Sequence, residues 1–125
     1  MVLRLLVGVP TDQAEVAKDF VTNRLAANDL VMISDLVLSE AYFALQTFYK
    51  IPKHDALEMI SLLSAGSGFN ISQNAADVLA LPMLSFAKPG FVDRLIHGAS
   101  HEQGHTLVTF EKAAKKLPGA HVLQA

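Results

Sequence analysis

Short apolar runs alternate with helix-length segments along this chain, and Gly and Pro mark most of the boundaries. Leu30–Ile33, Phe69–Ile71, Thr106–Thr109 and Ala120–Leu123 read as brief strands, because each is a compact apolar or alternating run bounded by turn residues. Helical spacing fills the intervals: about 12–26, 35–49, 54–65, 72–87, 91–103 and 111–117. Strands separated by helices pair in parallel, since each return to the same sheet edge needs a crossover. The expected class is therefore α/β with a parallel sheet. No repeat or long linker interrupts residues 1–125, which read as one domain.

Start and stop signals refine this pattern. Asp12 and Glu15 have the spacing of a capping box, and Ala17, Phe20, Val21 and Leu25 follow at helical spacing. Ser34 is placed to cap the next helix, Ile51-Pro52 to break it, and Gly66-Ser67-Gly68 to end the one after. Ser72 is a further cap, and Gly104 closes the helix that begins at Phe91. Residues 2–7 suit a strand or a helix equally well.

Composition removes several function classes. The chain has 51% hydrophobic residues, enough for a core, and no cysteine, so disulfide, thiolate and zinc–cysteine chemistry are excluded. A cytoplasmic setting is expected. Net charge is −2, which gives no global basic field for nucleic acid. No apolar run approaches the roughly 20 residues of a membrane span, so no membrane partner is expected.

Three acids stand at the edges of apolar segments: Glu40 after Leu38-Ser39, Asp93 in Phe91-Val92-Asp93-Arg94-Leu95-Ile96, and Glu111 after Leu107-Val108-Thr109-Phe110. Carboxylates cost several kcal/mol to bury unpaired. Convergence on a hard cation is one arrangement that accounts for such placement, and Mg²⁺ or Mn²⁺ takes oxygen ligands of this kind. Singly, each acid also has a plainer explanation: Asp93 as a charge at a helix start, Glu111 as an N-cap, Glu40 as the partner of a buried donor.

Four stretches in order resemble the PIN-domain family of the VapC type, the toxin ribonucleases of toxin–antitoxin pairs. Ile33 to Glu40 resembles the family's second acidic motif, and Gly90 to Ile96 its third. Gly104 to Glu111 with Leu117-Pro118-Gly119 resembles its closing segment, and Leu3 to Gly8 the stretch after its first motif. The resemblance implies a PIN-like three-layer domain with a parallel sheet flanked by helices. It further implies metal-dependent hydrolysis of RNA phosphodiester bonds, a homodimer and a VapB-like antitoxin as partner. Glu40, Asp93 and Glu111 would be catalytic and would hold Mg²⁺ or Mn²⁺, with Ser34 and Thr109 as polar residues at strand ends nearby.

The chain departs from the family pattern in three places. The family's first strand and its Asp are missing, Gly90 stands where another acid is common, and Glu111 occupies a position that is usually Asp. An upstream start, a decayed inactive domain acting as a binding or oligomerisation module, and residues 2–7 taking over the vacant strand position are all open. Asp12 and Asp35 are candidate substitute acids. A receiver-like domain is disfavoured, because no acidic pair follows a first strand.

Two further clusters have plain readings. His97, His101 and His105 are spaced for one helix face, where a solvated face complementing the helix dipole is preferred to a transition-metal site. Lys112, Lys115 and Lys116 read as a solvated helix face in preference to a phosphate cradle, and Tyr42, Phe43, Phe48 and Tyr49 as core or dimer contacts in preference to base-stacking platforms.

Overall fold

The computed structural model describes residues 2–66 and 68–124, a mixed α/β chain of six α-helices and four short strands. The expected Gly66-Ser67-Gly68 stop includes Ser67, which lies outside the described residues. The chain divides into two compact units, residues 1–72 and 73–125.

The first unit holds α1 (Val2–Val7), α2 (Thr11–Ala26), β1 (Val31–Ile33), α3 (Asp35–Thr47), α4 (Lys53–Ala65) and β2 (Phe69–Ile71). β1 and β2 pair in parallel, with Val31 opposite Phe69 and Ile33 opposite Ile71. The crossover is the two-helix excursion α3–α4, and α4 packs on β2 while α3 packs on α4 and α1. Leu38, Ala41, Tyr42 and Leu45 make the buried stripe of α3, and Ala56, Leu57 and Ile60 that of α4. The α3 positions are i, i+3, i+4 and i+7 and those of α4 i, i+1 and i+4, so each stripe lies on one helix face.

Residues 2–7 form a helix, which corrects the alternative that they replace a missing strand. Arg4 fixes this helix. Its Nε donates to Gln13 Oε1 at 2.6 Å, and its Nη1 donates to the Val9 carbonyl and to the Tyr49 hydroxyl, both at 3.3 Å. The capping box is corrected too. α2 begins at Thr11, its N-cap position is Pro10, and Asp12 lies inside the first turn, where its charge suits the helix dipole without capping. Proline with its fixed φ enters a helix readily and needs no donor there. Ser34 does cap α3, its Oγ accepting from Val37 N at 3.3 Å. Gly68 has φ +88°, and a Cβ there would fall on the Leu25 side chain, so only glycine fits this entry to β2.

The second unit holds α5 (Gln73–Leu79), a 3₁₀ turn (Leu84–Phe86), α6 (Phe91–Glu102), β3 (Leu107–Thr109), a 3₁₀ helix (Lys112–Lys116) and β4 (Ala120–Val122). α5 stops well short of the expected Ala87. Pro82 disfavours helix at Leu81, and Met83 turns into the left-handed region at φ 56°. β3 and β4 are parallel, with Leu107 opposite Ala120 and Thr109 opposite Val122. Their crossover is only residues 110–119, short for a parallel connection, and a tight 3₁₀ helix fills it.

Leu45 is fully buried, so Leu45→Ala is expected to lower unfolding free energy by about 2–5 kcal/mol in urea titration. Burial raises the Tyr42 phenol above its usual value of 10.0, against a smaller lowering from Gln46. The folded state thus favours the neutral phenol. Its stabilising share is complete below pH 10.0 and is lost as pH rises through the higher folded value. Unfolding measured from pH 9 to 12 should show a steeper alkaline decline in the native chain than in Tyr42→Phe.

Candidate acidic cleft of the second unit

Two of the three candidate carboxylates share a cleft. It measures about 230 Å³, and Asp93, Ile96, Leu107, Thr109, Glu111 and Leu117 are among its lining residues. Thr109 closes β3, Glu111 precedes the Lys112–Lys116 helix, and Asp93 lies in the first turn of α6. The cleft therefore sits at the carboxyl end of a parallel strand, where open α/β sheets place ligands.

The local geometry is set by short-range hydrogen bonds. Thr109 Oγ1 accepts from Glu111 N at 3.0 Å, and Glu111 Oε1 accepts from Ala113 N at 3.1 Å. Glu111 is thus an N-cap, as its plainer explanation holds. A carboxylate has about four acceptor sites, so capping leaves capacity for a further donor or a cation. Asp93 is solvent-exposed and favoured by the α6 dipole.

Three side chains hold α6 in place. Asn74 is buried and donates from Nδ2 to the Leu95 carbonyl at 2.9 Å. Arg94 Nε donates to the Pro89 carbonyl at 2.7 Å, tying the helix start to the loop before it. His97 Nε2 donates to the Pro118 carbonyl, tying the same helix to the turn before β4. His97 is buried, which corrects its assignment to a solvated face, whereas His101 and His105 are exposed as expected. The His97 and His101 rings stack, with centroids 5.6 Å apart and planes at 15°. Sequence spacing put His97 and His101 on one face of α6, but the turn at Pro118-Gly119 comes from chain far downstream, and periodicity alone gave no sign that it would cover His97.

The first unit carries the third candidate, Glu40. It is exposed on α3, on the face shared with Leu36 and Phe43 and opposite the buried stripe. Asp35 accepts from Ser72 Oγ at 2.6 Å, so the carboxyl ends of β1 and β2 are joined by a side-chain hydrogen bond. Asp12 lines an open groove of about 470 Å³ with Arg4, Gln13, Val16, Ala17 and Phe20.

One cluster went unread in the sequence. Among the described residues, His54, Asp55 and Glu58 offer ligand atoms that all lie within 4.8 Å of one another. The i, i+1, i+4 spacing at a helix start was the available signal. All three are exposed in the first turns of α4, an ordinary place for acidic side chains. Among the described residues, no helix is long and apolar enough to cross a membrane. Compared with protein-family models, curated proteins and solved structures, the chain has no match.

A Cβ at Gly98 would fall on the Asn74 amide. Gly98→Ala should therefore break or displace the Asn74–Leu95 hydrogen bond and cost about 1–3 kcal/mol, checked by urea unfolding.

Proposed function

We propose that the chain is a PIN-like, VapC-type ribonuclease that hydrolyses RNA phosphodiester bonds with a divalent cation, in the cytoplasm and under control of a VapB-like antitoxin. The observation that carries the reading is the shared cleft of Asp93 and Glu111 at the carboxyl end of β3. The oxygens there, two carboxylates and the Thr109 hydroxyl, are hard donors that fit Mg²⁺ or Mn²⁺. Both carboxylates are exposed and reach solvent without a desolvation penalty. Such a cation supplies Lewis-acid activation of water and stabilisation of the leaving oxygen. Asp93, in the first turn of α6, offers its charge to the cleft. Glu111 is oriented by its own capping bond to Ala113 N. The family resemblance alone assigns a metal-ligating role to Glu40, which lies in the first unit.

A second reading, an inactive PIN-like module that binds an antitoxin or a second copy of itself, draws on exposed apolar surface. Leu36 and Phe43 flank Glu40 on the outer face of α3, and Phe48 is 81% exposed. Cleavage separates the two. RNA incubated with the purified chain should be cut in Mg²⁺ or Mn²⁺ and spared in EDTA. Asp93→Asn, Glu111→Gln and Glu40→Gln should each slow cutting more than about 100-fold, beyond what loss of an outer-shell partner does. Cutting that survives EDTA, or that Asp93→Asn leaves unchanged, would sink the nuclease reading. Absence of cutting with retained self-association or antitoxin binding would favour the inactive module.

A further inference from the structure

Residues 109–112 divide two clefts of opposite charge. Thr109 and Glu111 line the acidic cleft, while Phe110 and Lys112 line a second one of about 570 Å³ together with Lys115, Val122, Leu123 and Gln124. The end of β3 and the start of the 3₁₀ helix thus contribute side chains to both clefts. Among the described residues, the lining of the second cleft holds two ammonium groups and no carboxylate side chain, in a chain whose net charge is −2. It opens beside the carboxyl ends of both β3 and β4, since Val122 ends β4 and Leu123 N donates to the Thr109 carbonyl at 2.7 Å. The Phe110 ring is 63% exposed at this cleft.

From this arrangement we infer that the Phe110–Lys112–Lys115 cleft is a subsite for single-stranded RNA. Lys112 and Lys115 meet backbone phosphates, and Phe110 stacks on a base. The inference rests on RNA being the ligand under the proposed function, and it adds where the strand runs beyond the acidic cleft. An aromatic face beside paired ammonium groups suits unpaired nucleotides: bases stack on the ring without sequence preference, and phosphates take the charge. A duplex hides its base faces and cannot use Phe110. Val122 and Leu123 form an apolar wall, and Gln124 offers both a donor and an acceptor to a base edge. Lys116 lies on the same 3₁₀ helix but is not among the lining residues, so it is the internal control.

The test is fluorescence anisotropy of a labelled oligouridylate with the full chain in EDTA, across a salt series. Lys112→Ala/Lys115→Ala should weaken binding at least about tenfold and make the salt dependence shallower by about 1.4, the share of two phosphate contacts on a single strand. Phe110→Ala should weaken it by about 5-fold or more, the lower end for one stacked base. Lys116→Ala should change it less than about twofold. All positions are exposed, and circular dichroism checks that each variant folds. No binding by the native chain, equal losses in Lys116→Ala and the cleft variants, or displacement of the RNA by polyglutamate at equal concentration would overturn the subsite. Its failure is separable from failure of the nuclease reading. Cleft-dependent binding without any cutting leaves the subsite standing and removes the nuclease. Asp93-dependent cutting with binding indifferent to Lys112, Lys115 and Phe110 removes the subsite alone.

Discussion

Parallel pairing of very short strands is the constraint from which each unit's chemistry follows. Three residues per strand supply few ladder hydrogen bonds, so the flanking helices must hold the pairs together. The same pairing gathers carboxyl ends. In the first unit it sets Asp35 beside Ser72, and their 2.6 Å hydrogen bond closes the strand edge. In the second it brings Thr109, Phe110 and Glu111 next to Val122, Leu123 and Gln124 and opens clefts on both sides of the connecting segment.

α6 shows how a candidate site obtains rigidity in so small a structure. Asp93 is on the surface, yet the residues after it are anchored inward: Arg94 to Pro89, Leu95 to Asn74, and His97 to Pro118. Each acceptor is a backbone carbonyl, and each donor is a side chain of fixed geometry. Fixing the helix start at several points holds a carboxylate in place, as metal and substrate chemistry require. Gly98 belongs to the same device, because a bare Cα lets the Asn74 amide come close to the helix.

Much of the fold was legible because local rules acted alone. All four strands appear where compact apolar runs predicted them, Ser34 caps α3, and the helix at Phe91 starts after Gly90 as read. The misreadings arose where two rules competed. Asp12 and Glu15 have capping-box spacing with Asp12 as N-cap, but the N-cap falls on Pro10, two positions earlier. Leu79 to Ala87 has helical apolar spacing, but Pro82 cuts it. Of the acids, Asp93 and Glu111 line one cleft, while Glu40, singled out on the same ground of flanking an apolar segment, lies in the other unit. The burial of His97 was not, because its partner carbonyl at Pro118 lies far along the chain.

The two sheets differ in how much chain each must loop out. Closing β1 on β2 encloses residues 34–68, whereas closing β3 on β4 encloses only 110–119. By loop-closure entropy alone the longer excursion costs about 1 kcal/mol more, and contacts of low sequence separation form sooner. The small sheet of the second unit is accordingly the more local one, and the acidic and basic clefts it supports can take shape early in folding, ahead of the strand pair that depends on α3 and α4 being in place.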